Sequence, residues 1–206
     1  MDWTVESTAT QKQRSEKRTR IIDAAIDVFA AKGYRSARIS DIARGAGVAD
    51  GTIYLYFRNK EDLLLTIFEE KMDLVLKELE ANLETKSDPI GRIEAFAETH
   101  FYLLQTHPAL AQVFQVELRQ STRFLTDYRP EPLWAYLDVF ESLIRDGQEA
   151  GLLRNDVDPF VTKWAFFGAL DELSIQWVLS RKRERFKLDE ASRQLVSVFL
   201  NGIRCE

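Results

Sequence analysis

The chain has few of the residues that would announce a catalytic or metal-bound chemistry. Cys205 is its only cysteine, which excludes an internal disulfide framework and fits a reducing compartment. His100 and His107 are its only histidines, and neither has cysteine, histidine or carboxylate neighbours at a zinc spacing. A pairing of His100 with Glu117 on a metal is the one alternative; a satisfied polar group at a pocket wall is the other reading of His100. With 9 glycines and 5 prolines in 206 residues, collagen and low-complexity classes are excluded. No apolar run reaches the ~18 residues of a membrane span. Residues 1–17 are polar with no apolar signal core, so a cytoplasmic protein with no membrane partner is expected. Gly45 and Gly47 lack the following Lys-Ser of a phosphate loop, and no Ser-His-Asp arrangement has local support. Neither catalytic nor metal-binding residues are expected, nor an enzyme.

What is present is apolar bulk and unevenly placed charge. A 45% hydrophobic content is enough to offset chain entropy, and the length allows one or two domains. The net charge is −5, yet residues 11–60 hold eleven basic against five acidic side chains, a surplus of +6 that leaves −11 on the remainder. A basic head on an acidic body suits a protein that offers one end to a polyanion.

The dominant period is helical. Residues 1 to about 11 read as a loose tail. Ile22, Ala25, Ile26 and Phe29 then mark one face of a first helix that Gly33 stops. Ser40 is placed to cap a short second helix, ended by Gly45 and Gly47, and a third short helix runs from about Asp50 to Phe57. Asn59 caps a long fourth helix, with Asp62 as its capping-box partner. Further helices are predicted over 89–106, 108–126, 131–150, 158–181 and 188–203. The fold class is all-α: an N-terminal three-helix domain over residues 12–60, joined by a long helix to a C-terminal helical domain over residues 61–206.

Residues 39–63 carry the most specific signal. Two short helices meet at a glycine-containing turn, and Ile42, Ala43, Val48 and Ile53 are spaced to pack them on the first helix, a helix-turn-helix layout. The pattern Gly47-Val48, Gly51-Thr52-Ile53-Tyr54, Tyr56-Phe57 and Asn59-Lys60-Glu61-Asp62-Leu63 resembles the DNA-binding domain of the TetR family of bacterial transcription regulators. The resemblance implies that Thr52 and Tyr54 contact phosphates, that Tyr56 closes the recognition helix on the backbone, and that Lys60 adds charge where a helix N-terminus already favours phosphate. It leaves Gly51 for close backbone approach, Asp50, Gly51 and Ser40 for base reading, and Arg14 and Arg18 for a flanking phosphate or the minor groove. Ala49 stands where the family usually has a capping Ser, so Asp50 either caps this helix or reads a base.

Glu117-Leu118-Arg119-Gln120-Ser121, Gly168-Ala169-Leu170-Asp171-Glu172 and Trp177-Val178 resemble the fatty-acid-degradation (FadR-type) repressors within that family. This implies no cofactor, long-chain acyl-CoA as inducer, a homodimer, and double-stranded DNA with a near-palindromic operator as partner. It implies an apolar pocket drawn from Phe96, His100, Leu104, Val113, Phe114, Leu118, Tyr136, Phe140, Leu143 and Phe167. Burial of an alkyl chain there is worth about 0.8 kcal/mol per CH₂. Arg119 and Arg123, with Arg129 and Lys163, are cations that would suit the CoA phosphates; salt bridging of Arg119 and Arg123 with Glu117 and its neighbours is the other reading, and for Lys163 a structural role is preferred. A pocket for aromatic or other hydrophobic small molecules in the same kind of repressor is the alternative function. The basic run 181–185 is read as offsetting a helix dipole.

Overall fold

The computed structural model describes residues 3–180 and 186–205, so the basic run 181–185 lies outside the described residues. Among the described residues every named element is helical. They are α1 (Trp3–Lys32), α2 (Ile39–Ala46), α3 (Asp50–Ile53), α4 (Lys60–Glu84), α5 (Pro89–Thr106), α6 (Pro108–Gln112), a π turn (Val113–Glu117), a 3₁₀ turn (Leu118–Gln120), α7 (Thr122–Thr126), α8 (Glu131–Glu149), α9 (Pro159–Leu179) and α10 (Leu188–Ile203). No described helix is long and apolar enough to cross a membrane.

The chain divides into two compact units: residues 1–68 with 112–128, and residues 69–111 with 129–206. The first unit therefore holds the three helices expected of the head and the start of α4, together with the segment from the π turn to α7.

In the first unit α1 begins at Trp3, not after a loose tail. Residues 3–32 contain no glycine or proline, and once a helix is nucleated each further residue extends it at little cost. Its buried face carries Ile21, Ile22, Ala25 and Phe29. Gly33, at φ +78°, ends it in the left-handed region. The second helix starts one step before the expected cap: Arg38 is its N-cap, Ser40 lies exposed inside the first turn, and Asp41 reaches back to the Arg38 N–H. Gly45 does not end this helix but packs it; a Cβ there would stand 3.2 Å from Ala24 Cβ. Gly47, at φ +66°, makes the stop. Asn59 Oδ1 accepts the Asp62 N–H at 2.8 Å, capping α4 as expected.

The helix expected over 108–126 is broken. Its middle widens into the π turn, tightens into the 3₁₀ turn and stops at Ser121, whose hydroxyl caps α7 through Phe124 N–H at 3.1 Å and donates to Glu61 Oε1 at 2.6 Å. A tertiary bond outweighs local helical preference there, something no periodicity count contains.

The second unit is a bundle in which α5, α8, α9 and α10 surround a ring cluster. Phe140 and Phe166 stack at 4.3 Å, Phe96 lies 5.0 Å from Phe140, and Phe199 lies 4.7 Å from Phe166. Asp88 and Asp158 cap α5 and α9, each followed by a proline whose missing N–H costs nothing in the first turn. Gly147 lets α8 meet the buried Leu153; a Cβ there would stand 2.6 Å from Leu153 Cδ1. Arg154 N–H donates to Ile203 O at 2.8 Å, holding the chain end.

Candidate functional site

The residues singled out for DNA share one compact unit. Asp50 begins α3 and is exposed, as is Gly51, where a Cβ would meet open space. Ala49 makes no side-chain cap, and the Asp50 carboxylate has no bonded partner among the described residues, so of its two readings capping is not the one adopted. Thr52 is half-buried, while Tyr54 is 57% and Leu55 73% exposed, an unusual display for two large side chains beside a packed Ile53. Tyr56 is half-buried, with the Arg14 guanidinium 5.9 Å from its ring centroid; Arg18 sits 5.4 Å from that of Phe57. Arg14, Arg18, Leu55 and Tyr56, with Gln11 and Ser15, line a cleft of about 300 Å³. The structure thus gathers two of the predicted arginines and Tyr56, adds Leu55, and leaves Ser40 apart on α2. At the C-terminal end of α1, Asp41 holds Lys32 and Arg44 at 2.8 Å each, and the Lys32 hydrogen bond keeps its carboxyl below the usual range.

Lys60 departs from the expectation of a free phosphate ligand. Its Nζ donates to the carbonyls of Tyr34 (2.6 Å), Ala37 (3.0 Å) and Arg35 (3.2 Å), which uses all three ammonium protons. It also lies 4.6 Å from the Tyr34 ring centroid. Burial lowers its pKa and raises that of the Tyr34 phenol. Lys60 is an internal tie across the α1–α2 turn, because three orphan carbonyls of that turn face it.

The residues singled out for ligand fall into both units. In the second, Phe96, Leu104, Tyr136, Phe140 and Leu143 are buried, and Phe96 lies 4.7 Å from Tyr136. Phe167 does not join them; it lies edge-on to Trp164 at 6.3 Å, and its neighbour Phe166 takes the core position. Adjacent helix positions differ by about 100° around the axis, so composition alone does not choose between them. In the first unit Val113 and Leu118 are buried, and Phe114 is half-buried beside Phe68 at 5.3 Å. Phe124 and Tyr128 also surround Phe68, at 5.5 and 6.2 Å, an aromatic cluster that helical spacing does not reveal. Arg119 and Arg123 are exposed; Arg119 donates to Gln115 at 3.4 Å, and neither pairs with Glu117. Lys163 is 5% exposed and bound to Asp138 at 2.7 Å and Glu141 at 2.5 Å, so it is a structural cation.

His100 carries the polar chemistry of the second unit. Its Nδ1 lies 2.8 Å from the Tyr136 hydroxyl and its Nε2 3.0 Å from Ser174 Oγ. Ser174 donates its own proton to Leu170 O at 2.7 Å, so it accepts from Nε2–H, and Tyr136 donates to a bare Nδ1. Every partner suits a neutral imidazole. Desolvation pushes the His100 pKa down to about 4 against a smaller opposing pull from Asp171, and raises that of Tyr136. Glu117, the other member of the alternative metal pair, is instead bonded to Tyr34, Gln112 and Gln120, and the described residues hold no group of three metal-ligating side chains. Sequence reasoning misses Ser174; a lone serine on a helix gives no pattern to read.

Comparison with known proteins accords with this architecture. Residues 21–67 match the family "Bacterial regulatory proteins, tetR family", and residues 68–202 match "YsiA-like protein, C-terminal region". The fatty acid metabolism regulator protein of Bacillus subtilis is 36% identical over 192 residues, covering 93% of this chain and 98% of that one. The crystal structure of FadR from Bacillus subtilis in complex with stearoyl-CoA matches with a TM-score of 0.83 at 36% identity, over 90% of this chain and 98% of that one. FadR from Bacillus halodurans matches with a TM-score of 0.83 at 37% identity, over 90% and 95%. With a helix-turn-helix unit, a helical body and full-length likeness to transcription regulators, the chain belongs to the TetR family of bacterial DNA-binding regulators.

Proposed function

We propose that the chain is a dimeric repressor of fatty-acid degradation genes that leaves its operator on binding long-chain acyl-CoA. The observation that carries this reading is the likeness, over 90% of the chain, to a regulator held with stearoyl-CoA. Residues 12–60 act as the DNA-binding head and residues 61–206 bind ligand and dimerise. Ser40, Asp50 and Gly51 face base edges, while Arg14, Arg18, Thr52, Tyr54 and Tyr56 serve the backbone. Lys60 contributes through the turn it holds. The alkyl chain is taken up among apolar side chains of residues 61–206, and cations including Arg119 and Arg123 meet the CoA phosphates.

Dimerisation is supported by apolar side chains left in water. Phe160, Val161, Trp164 and Leu179 on α9 are each more than 40% exposed, and Val198 on α10 is 74% exposed. A second copy is the occupant that would cover such a surface in a soluble regulator. Two heads then bind half-sites about 34 Å apart, which calls for a near-palindromic operator. Release is a population shift: ligand binds better to a head spacing that DNA does not accept. The protein works in the cytoplasm, where both DNA and acyl-CoA reside.

Fluorescence anisotropy on a palindromic promoter duplex, titrated with C12 to C18 acyl-CoA, free fatty acid or CoA, tests the reading. Release by thioester alone is expected. Tight DNA binding that no thioester disturbs would refute the acyl-CoA assignment and turn the search to aromatic ligands.

A further inference from the structure

Glu117 is a carboxylate buried to 3% exposure with no cation beside it among the described residues. Its Oε2 accepts the Tyr34 backbone N–H at 2.6 Å and Gln120 Nε2 at 2.8 Å, and its Oε1 accepts Gln112 Nε2 at 3.2 Å. Burying an unpaired carboxylate is costly, and hydrogen bonds to the charged form are what offset it. The bond to Tyr34 is the short one, and it spans 83 positions of sequence.

Tyr34 is held on its other side as well. Its carbonyl accepts from Lys60 Nζ at 2.6 Å. One residue in the turn that leads into α2 thus has its N–H on an anion and its C=O on a cation. Gly33, immediately before, sits at φ +78°, and the turn past it is built on backbone bonds such as Ala37 N–H to Gly33 O at 3.0 Å. The direction in which the chain enters α2, and with it the placing of α3, depends on this turn.

Glu117 closes the π turn Val113–Glu117. A turn closed five residues apart holds one residue more than its α counterpart, so it rotates the downstream chain by about 100° relative to an unbroken α-helix. The same side chain in the uninterrupted helix that the sequence suggests would have a different bearing. Ser121, bonded to Glu61 Oε1 at 2.6 Å, fixes the far end of the segment to the start of α4.

We propose that Glu117 is a positioning residue for the DNA-reading helices: its carboxylate clamps the Tyr34 N–H opposite Lys60, and the winding of residues 113–117 sets whether that clamp is made. This inference rests on the chain being a DNA-binding regulator. Glu117 touches no DNA; it acts through the α1–α2 turn, and it gives the segment of residues 112–128 a route by which its state alters operator affinity.

The test uses the full chain as wild type, Glu117→Ala and Glu117→Gln. Binding is measured to a duplex that the wild type selects from a random-sequence pool, and to a scrambled duplex of equal length at the same salt. Backbone amide exchange is followed at Tyr34. Glu117→Ala is expected to weaken the selected duplex at least about tenfold while leaving the scrambled one within about twofold, since non-specific binding is set by the Lys and Arg side chains that meet phosphates, which the variant keeps, and a buried carboxylate meets none. Tyr34 exchange accelerates by a similar factor. Glu117→Gln, which keeps an acceptor oxygen, restores most of the affinity. Wild-type affinity of Glu117→Ala for the selected duplex overturns the proposal, and so does an equal loss on both duplexes. If Glu117→Ala does not fold, Glu117→Gln decides: faster exchange at Tyr34 with unchanged selectivity overturns it. A wild type that selects no duplex removes the regulator reading and this inference together, whereas a selective wild type with an indifferent Glu117→Ala removes only the inference.

Discussion

The neutral histidine in the bundle should make the protein acid-sensitive in a way that one substitution removes. His100 titrates near 6.5 when unfolded and near 4 when folded, because charging it requires desolvation and the loss of the hydrogen bond that Tyr136 donates. A folded pKa below the unfolded one means that the stabilisation is fully present above about pH 6.5 and is lost as pH falls towards about 4. Between about pH 7.5 and about pH 4.5, proton linkage at this single group amounts to about 2.5 kcal/mol. His100 is half-buried and not fully enclosed, which reduces the expected loss to about 2 kcal/mol. The assay is urea unfolding of wild type and His100→Gln at both pH values and one protein concentration, with the difference of differences taken so that other carboxyls cancel. Glutamine cannot titrate, so its pH dependence should be shallower by that amount. Parallel losses in the two proteins would refute the buried, neutral assignment. Nitrogen chemical shifts offer an independent check: they should show the Nε2–H tautomer that Ser174 and Leu170 impose.

Single contacts carry the other expectations. Lys163→Met should cost about 2 kcal/mol in denaturant unfolding, because it removes the buried cation from Asp138 and leaves Glu141 with Arg145 alone. The Lys163 bond holds the Glu141 pKa down, so this pair's contribution, measured in the same assay, should be present above Glu141's ordinary pKa and fade as acid passes below its folded one. Gly147→Ala should lower thermal stability by about 1–3 kcal/mol despite better helix propensity, since the new methyl meets Leu153. Lys60→Met should destabilise the first unit by about 1–3 kcal/mol by leaving three carbonyls without their donor, seen as faster amide exchange across residues 33–38.

How much was legible depended on the range of the forces involved. The helical class, the starts of α4, α5 and α9, and the helix-turn-helix are local matters: caps, prolines, glycines and a 3.6-residue period act within a few positions, so the linear order determines them. The basic surplus over residues 11–60 is equally a property of the chain as written. Tertiary structure decided what depended on partners distant in sequence. It turned Lys60 from a free cation into a tie on three carbonyls, drew Glu117 to a backbone N–H 83 residues away, and broke the helix over 108–126 so that Ser121 could reach Glu61. It placed Phe166 and not Phe167 in the bundle core, and supplied Ser174 to fix the tautomer of His100. A side chain's role is set by what desolvates it and what bonds it, and those neighbours come from other turns of the chain.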